Sequence, residues 1–147
     1  MMDLPRAGRL LAVDWGEVRL GLALSDPTQT LASPLETLVR RPGKRFPMPR
    51  FLELVRQHQP VGLVVGLPFS PEGGETDASR AARELAETLQ RRTDLPVDHW
   101  DERMSTARAL GVIREQGGSV RGRKADVDAL AAAVVLQHYL DGRRDSA

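Results

Sequence analysis

The chain has 147 residues, of which 41% are hydrophobic and 28% charged, and it contains no cysteine. This size and composition fit one globular domain over residues 1–147, and the missing cysteine excludes disulfides, zinc–thiolate sites and cysteine nucleophiles. No apolar run approaches the roughly 18 residues of a membrane span, and the sequence opens without a recognisable secretory signal. We therefore expect a cytoplasmic protein with no membrane partner and with flexible ends at about 1–8 and 142–147.

The sequence predicts alternating strands and helices. In chain order these are strands at 9–13, 18–25 and 31–38, a helix at 51–59, a strand at 61–66, a helix from Thr76 or Asp77, a strand at 97–100, a helix from Ser105 and a final helix over about 125–140. The short connection after Asp14 predicts an antiparallel hairpin of the first two strands. Residues 61–66 are apolar throughout, as is typical of a strand buried on both faces. The later alternation predicts parallel crossovers and a mixed α/β sheet covered by helices.

Acidic residues stand at three junctions between these elements. Asp14 closes the first strand, Asp101-Glu102 closes the last, and Asp126 and Asp128 open the final helix. Parallel strands gather their C-terminal ends at one sheet edge, so Asp14 and the Asp101-Glu102 pair should lie together. Consecutive strand residues face opposite sides, so one member of that pair should face the site. Because an unpaired buried carboxylate is costly unless a cation offsets it, the three positions suggest a carboxylate-held divalent-metal site.

Each of these acids also has an ordinary structural explanation. An aspartate after a strand often forms a turn, and acids near a helix N-terminus interact favourably with the helix dipole. Asp128 differs, because its helical neighbours Ala131 and Val135 belong to an apolar face with small residues that can approach the sheet closely. We expect Asp128 to point inward and Asp126 to face more toward solvent.

The available ligand types favour a hard cation. His58, His99 and His138 are scattered and show no ligand spacing, and cysteine is absent. Carboxylates alone suit Mg²⁺ or Mn²⁺. Two such ions about 4 Å apart can activate water and stabilise the leaving oxygen of a phosphodiester. The acids therefore predict a metal-dependent nuclease site, with two ions as the expectation.

Basic residues crowd two segments although the formal net charge is only +1. One segment covers 40–50 and the other 114–124, and both lie in predicted loops or element ends. Either could be ordinary solvated surface, but beside acidic strand ends they favour contacts with a nucleic-acid backbone. Arg103 could pair with a neighbouring acid or bind a phosphate. The residues expected to bind nucleic acid are Arg19, Arg45, Arg121, Arg123 and Lys124.

Several short motifs, taken in order, resemble the YqgF/RuvX family. They are AVDWG at 12–16, RLG at 19–21, SDP at 25–27, VGLP at 65–68, DERMST at 101–106 and DALAA at 128–132. The motifs span nearly the whole chain and are highly specific as a set, although each alone is not.

The resemblance implies a ribonuclease-H-like fold related to the RuvC resolvases. This fold is a mixed five-stranded sheet in the order 3-2-1-4-5, with strand 2 antiparallel and helices flanking the sheet. The family's metal ligands carry over onto Asp14, Glu102 and Asp128, with Asp101 as an additional candidate. RuvC-like enzymes carry an acid where this chain has Gly66, so here the middle carboxylate must come from the Asp101-Glu102 pair.

These observations predict a Mg²⁺- or Mn²⁺-dependent endonuclease acting on structured nucleic acid. Family members are described both as Holliday-junction resolvase homologues and as nucleases that mature the 5′ end of pre-16S ribosomal RNA. Junction resolution requires symmetric nicks and favours a homodimer, whereas trimming of ribosomal RNA requires no symmetry.

Two other classes of function remain open. One is a non-catalytic ribosome-assembly factor that keeps the acids for structural reasons. The other is a nucleotide-binding module, because the hairpin after Asp14 also resembles the phosphate loop of actin-like ATPases. Those proteins need two such domains around a cleft, and this chain has room for one.

Overall fold

The structure is a computed structural model that describes residues 3–43, 45–68, 70, 72–102 and 124–145, with the side chains of 127–144 in the last segment. The strands are β1 (Leu10–Asp14), β2 (Arg19–Ser25), β3 (Ala32–Val39), β4 (Gly62–Leu67) and β5 (Val97–Asp101). The helices in the described residues are α1 (Met48–His58), α2 (Asp77–Thr93) and α3 (Lys124–Asp145). None of these helices is long and apolar enough to cross a membrane. The helix predicted from Ser105 lies outside the described residues.

The five strands form one sheet in the order β3-β2-β1-β4-β5. Strand β2 is antiparallel to β1 and β3, whereas β4 runs parallel to β1 and β5 parallel to β4. This confirms the predicted mixed sheet with a reversed second strand. The topology follows from the connections, because a short link permits only a hairpin, whereas a helix returns the chain for parallel pairing.

Alternate residues of the central strands enter two separate cores. Leu11 and Val13 of β1 pack in the core that contains α1 and α2, whereas Leu10 and Ala12 pack in the core that contains α3. Strand β4 is buried along its whole length, as its apolar sequence predicts. Since side chains alternate along a strand, Asp14 belongs to the same face as Ala12, which is the α3 face.

Helix α2 begins where the sequence predicts. Ser79 N–H donates to Thr76 Oγ1 at 3.0 Å, and Thr76 N–H donates to Ser79 Oγ at 2.8 Å. This reciprocal pair satisfies two backbone N–H groups near the helix N-terminus. Ala82, Leu85 and Leu89 of this helix are buried against the sheet.

Helix α3 lies directly on the backbone of β2. A Cβ atom on Gly21 would lie only 1.9 Å from the carbonyl oxygen of Asp128, so a larger residue could not occupy this point of contact. Ala131, Ala132 and Val135 of α3 are fully buried. This confirms that the small-residue face of the helix packs against the sheet. The helix extends past the predicted end near residue 140 to Asp145.

Both ends of the described chain pack onto the domain, where the sequence suggests flexible segments. Leu4 is buried in the α3 core, and its carbonyl oxygen accepts a hydrogen bond from Arg143 Nη2 at 2.7 Å. Gln29 Nε2 donates to the carbonyl oxygens of Pro5 at 2.8 Å and Gly8 at 3.0 Å. These contacts join residues distant in sequence, which is why local composition gives no sign of them.

Candidate active site

Asp14 ends the central strand between two glycines. Its register partners are Gly21 on β2 and Gly66 on β4. Partners on adjacent strands point to the same face of a sheet, so Asp14 has no neighbouring side chain from either strand at this level. The Asp14 side chain is nevertheless completely buried. The groups that cover it must therefore come from elsewhere in the fold, and the two glycines mark where they approach.

Helix α3 brings Asp128 to one side of Asp14. The backbone of Asp128 rests on Gly21, and its side chain is completely buried, as the small-residue face predicts. Arg19 Nε donates to Asp128 Oδ2 at 2.9 Å, and the Arg19 side chain is 25% exposed. Arg19 lies two residues before Gly21, so both belong to the same face of β2. The carboxylate therefore has a fixed cationic partner from the strand beneath it.

Glu102 comes to the other side of Asp14. A Cβ atom on Gly66 would lie 3.2 Å from both Cγ and Cδ of Glu102 and 3.4 Å from its Oε2. Glu102 is 9% exposed. Its carboxyl group therefore occupies the space that a side chain at Gly66 would fill. The structure places the Glu102 carboxylate over the end of β4, although the residue itself follows β5.

Asp101 belongs to the opposite face. Its register partner is Leu67, which is buried in the core with α1 and α2, whereas Trp100 pairs with Gly66 and packs against the α3 core. The alternation of side chains thus separates the two neighbouring acids, and Glu102 is the one on the face of Asp14. Asp126 has no described side chain.

The turn after Asp14 is held by contacts that sequence reasoning missed. Arg40 Nε donates to the carbonyl oxygen of Gly16 at 2.9 Å, and the Arg40 guanidinium lies 4.2 Å from the centre of the Trp15 ring. Burial lowers the pKa of Arg40. A Cβ on Gly16 would lie 1.8 Å from the carbonyl oxygen of Arg19, so this turn closes tightly only with glycine. No local pattern links Arg40 to Trp15, because strand pairing alone brings them together.

The predicted nucleic-acid-binding residues are only partly within the described structure. Arg45 is exposed and forms a β-bridge with Arg41, which is also exposed, just beyond the end of β3. Arg50, which belongs to the same basic segment, instead pairs with Glu36 and Glu53. Arg103, Arg121 and Arg123 lie outside the described residues, as does the side chain of Lys124.

The profile of a protein family supports this architecture. The profile described as RuvX, Holliday junction resolvase, matches residues 8–142. The chain belongs to the RuvX family. A RuvX relative named "Putative pre-16S rRNA nuclease" in Anaeromyxobacter sp. (strain Fw109-5) is 43% identical over 135 residues, which cover 92% of this chain and 98% of the relative. A protein of the same name in Koribacter versatilis (strain Ellin345) is 39% identical over 136 residues, which cover 92% of this chain and 88% of the relative.

A solved structure similar to this RuvX protein is T. thermophilus RuvC in complex with a Holliday junction substrate. The TM-score is 0.57 at 18% sequence identity, and the match covers 93% of this chain and 96% of that chain. A second structure of Thermus thermophilus RuvC gives a TM-score of 0.55 at 16% identity. At these identities the likeness concerns the fold alone, and it confirms the predicted ribonuclease-H-like fold.

The three acids of this RuvX protein carry the kind of ligand atoms that hard divalent cations prefer. Asp14, Glu102 and Asp128 supply only oxygen donors, and the space over Gly66 already accommodates a carboxylate. Among the described residues, however, no group of three or more Asp, Glu or His side chains is close enough together to hold a metal ion. Arg19 engages one oxygen of Asp128 in this arrangement. Coordination by all three acids therefore requires their side chains to move closer together.

Proposed function

We propose that this RuvX protein is a divalent-metal-dependent endonuclease that hydrolyses phosphodiester bonds in structured nucleic acid in the cytoplasm. The observation that carries the proposal is the buried Asp14, flanked by two glycines over which Glu102 and Asp128 approach from the same face. The names of the RuvX relatives support 5′-end maturation of pre-16S rRNA as the activity. The family description supports Holliday-junction resolution as a second substrate class.

The three carboxylates would hold Mg²⁺ or Mn²⁺, and we expect two ions. When bound, such ions activate a water molecule and stabilise the leaving oxygen of a phosphodiester. The residues of the chain position the site. Asp14 presents a carboxylate from the rigid central strand, and the stacking of Arg40 on Trp15 fixes the turn that follows Asp14. The two glycines leave room beside Asp14 for the Glu102 side chain and for the backbone of α3.

Basic residues at the same sheet edge would bind the backbone phosphates of the substrate. Strand β3 ends beside the start of β2, since Val39 is the register partner of Arg19. The exposed Arg41 and Arg45 follow directly, so their turn extends from the edge that carries Asp14. Arg121, Arg123 and Lys124 would add contacts from the other basic segment, and Arg103 is a further candidate beside Glu102.

Replacing Arg45 with alanine tests the phosphate contact. We expect weaker binding to nucleic acid of any sequence, because one backbone contact is lost. The slope of log affinity against log salt concentration should become shallower by about 1. Fluorescence anisotropy of a labelled RNA over a salt series measures this slope. Arg92→Ala, an exposed arginine at the end of α2, is the control and should keep the wild-type slope. An unchanged slope for Arg45→Ala would show that Arg45 does not contact the phosphates of the nucleic acid.

Replacing Gly66 with alanine tests the position of Glu102. The new methyl group would lie 3.2 Å from the Glu102 side chain, which is tighter than ordinary contact but involves the end of a flexible chain. We expect the fold to survive and the cleavage rate to fall by about tenfold or more, since an ångström-scale misplacement of a catalytic group can cost about a hundredfold.

Gly62 provides the matched control for this change. It lies on the same strand and the same face, and a Cβ there would lie 3.1 Å from a methyl group of Leu4 and 3.3 Å from one of Leu10. Gly62→Ala should therefore produce a comparable loss of stability without loss of cleavage. Equal cleavage rates for the two variants would show that the contact between Gly66 and Glu102 is structural only.

A side-by-side cleavage assay tests the proposed function. The wild-type protein and Mn²⁺ are incubated with a precursor of the 5′ end of small-subunit rRNA and, separately, with a synthetic four-way DNA junction. Cutting of the RNA alone would establish a processing nuclease, whereas paired nicks in the junction would establish a resolvase. Sedimentation of the same samples would reveal the homodimer that symmetric nicking favours. Failure to cut either substrate would contradict the nuclease proposal.

A second candidate is a non-catalytic ribosome-assembly factor. The observation that favours it is the bond between Arg19 and Asp128, which neutralises one acid without a metal ion. Replacing Asp14 with alanine in cells distinguishes the two candidates. Loss of rRNA maturation supports the nuclease, whereas normal maturation in cells that contain only this variant supports the assembly factor.

A further inference from the structure

We infer that Arg19 is a positioning residue that fixes the orientation of the Asp128 carboxylate for metal binding together with Asp14 and Glu102. This inference rests on the proposed metal-dependent function. It gives Arg19 a role inside the site, different from the phosphate contact that its basic character suggests. Arg19 acts through Asp128 and does not itself touch the substrate.

The side chain of Arg19 is placed by a rigid contact. Arg19 is the first residue of β2, and its Nε atom lies 2.9 Å from Oδ2 of Asp128, whose side chain is completely buried. The distance between the two elements is set nearby, where α3 touches the backbone of Gly21. A charge-assisted hydrogen bond in such surroundings restricts the rotation of a carboxylate much more than an exposed ion pair does.

The backbone of Arg19 is tied to the turn that follows Asp14. A Cβ on Gly16 would meet the carbonyl oxygen of Arg19 at 1.8 Å, so the two ends of the turn are in direct contact. Arg19 thus connects two of the three acids: its backbone is anchored beside Asp14, and its side chain holds Asp128. A residue with both connections is suited to keep the Asp128 carboxylate in one orientation while the side chains of the site move closer together for coordination.

Two physical roles predict opposite effects on metal affinity. If Arg19 orients Asp128, its removal should weaken metal binding by about 10- to 100-fold, the range seen when a group that hydrogen-bonds a metal ligand is lost. If Arg19 is a counter-ion that competes with the metal for Asp128, its removal should strengthen metal binding. The anchored backbone of Arg19 and the hydrogen bond from its Nε to one oxygen of the Asp128 carboxylate favour orientation.

Calorimetric titration with Mn²⁺ distinguishes these roles, using the wild-type protein, Arg19→Gln, Arg19→Lys and the control Arg92→Gln. We expect Arg19→Gln to bind Mn²⁺ about 10- to 100-fold more weakly, Arg19→Lys to recover part of the affinity, and Arg92→Gln to match the wild type. Equal or tighter binding by Arg19→Gln would overturn the inference. If Arg19→Gln does not fold by circular dichroism, the comparison rests on Arg19→Lys, for which wild-type or tighter affinity would equally overturn it.

Two further outcomes separate this inference from the proposed function. Absence of Mn²⁺ binding by the wild-type protein would contradict the proposed metal site and the role of Arg19 with it. Binding by the wild type with unchanged affinity in Arg19→Gln would contradict only the role of Arg19. RNA affinity measured in EDTA should be equal for the wild type and Arg19→Gln, and a loss there with unchanged Mn²⁺ affinity would return Arg19 to the phosphate-binding residues.

Discussion

Replacing Asp14 with asparagine is expected to abolish cleavage and leave the fold intact. Asparagine keeps the shape of the side chain but removes the charge that a divalent cation requires. The loss in rate should exceed about 100-fold, the upper end of the effect of losing a group that merely supports a metal ligand. Thermal stability should change little, because asparagine keeps the shape of this completely buried side chain.

Asp101→Asn is the matched control for this experiment. Asp101 also ends a parallel strand of the sheet, but the pairing with Leu67 places it on the opposite face. We expect this variant to retain cleavage within a few-fold of the wild-type rate. Initial rates with Mn²⁺ on the substrate that the wild type cuts, together with thermal melting followed by circular dichroism, provide the comparison. If Asp14→Asn cuts as fast as the wild type, the carboxylate mechanism is wrong.

Replacing Gly21 with alanine is expected to destabilise the protein and to displace Asp128. The added Cβ would lie 1.9 Å from the Asp128 carbonyl oxygen and 2.4 Å from its carbonyl carbon. Both atoms belong to the backbone of a helix, so no side-chain rotation relieves the overlap, and α3 or β2 must shift. Overpacking of this kind costs about 1–3 kcal/mol, and sometimes more. The melting temperature should fall by about 2–4 °C for each kcal/mol in a domain of this size.

Gly142→Ala provides a control in the same helix. A Cβ there would lie 3.6 Å from the Trp100 ring, which is ordinary van der Waals contact. Because alanine favours a helix over glycine, we expect this variant to gain about 0.5–1 kcal/mol. Thermal and urea unfolding of both variants measures the difference. A Gly21→Ala protein as stable as the wild type, with unchanged cleavage, would show that α3 does not rest on β2 as described.

The sheet could be predicted from the sequence because its signals are local. The hairpin after β1, the wholly apolar β4 and the alternation of helices with later strands each follow from short patterns, and together with the family resemblance they define the strand order. The inward placement of Asp128 was also predictable, since small residues one helical turn away permit close approach to the sheet. These predictions need only the spacing of residues within single elements.

The remaining features of the site depend on pairing between elements. Sequence alternation shows that one of Asp101 and Glu102 faces the site, but only the register of β5 against β4 shows which. In the same way, nothing near Gly66 in the sequence indicates that the carboxylate of Glu102 fills the space above it. The stack of Arg40 on Trp15 arises because the end of β3 lies beside the turn after β1.

The direct contact between α3 and Gly21 determines at what stage of synthesis the site can form. All five strands precede α3 in the chain, so they leave the ribosome first during synthesis. The sheet can supply Asp14 and Glu102, but Asp128 joins them only when the last helix has been made and has docked.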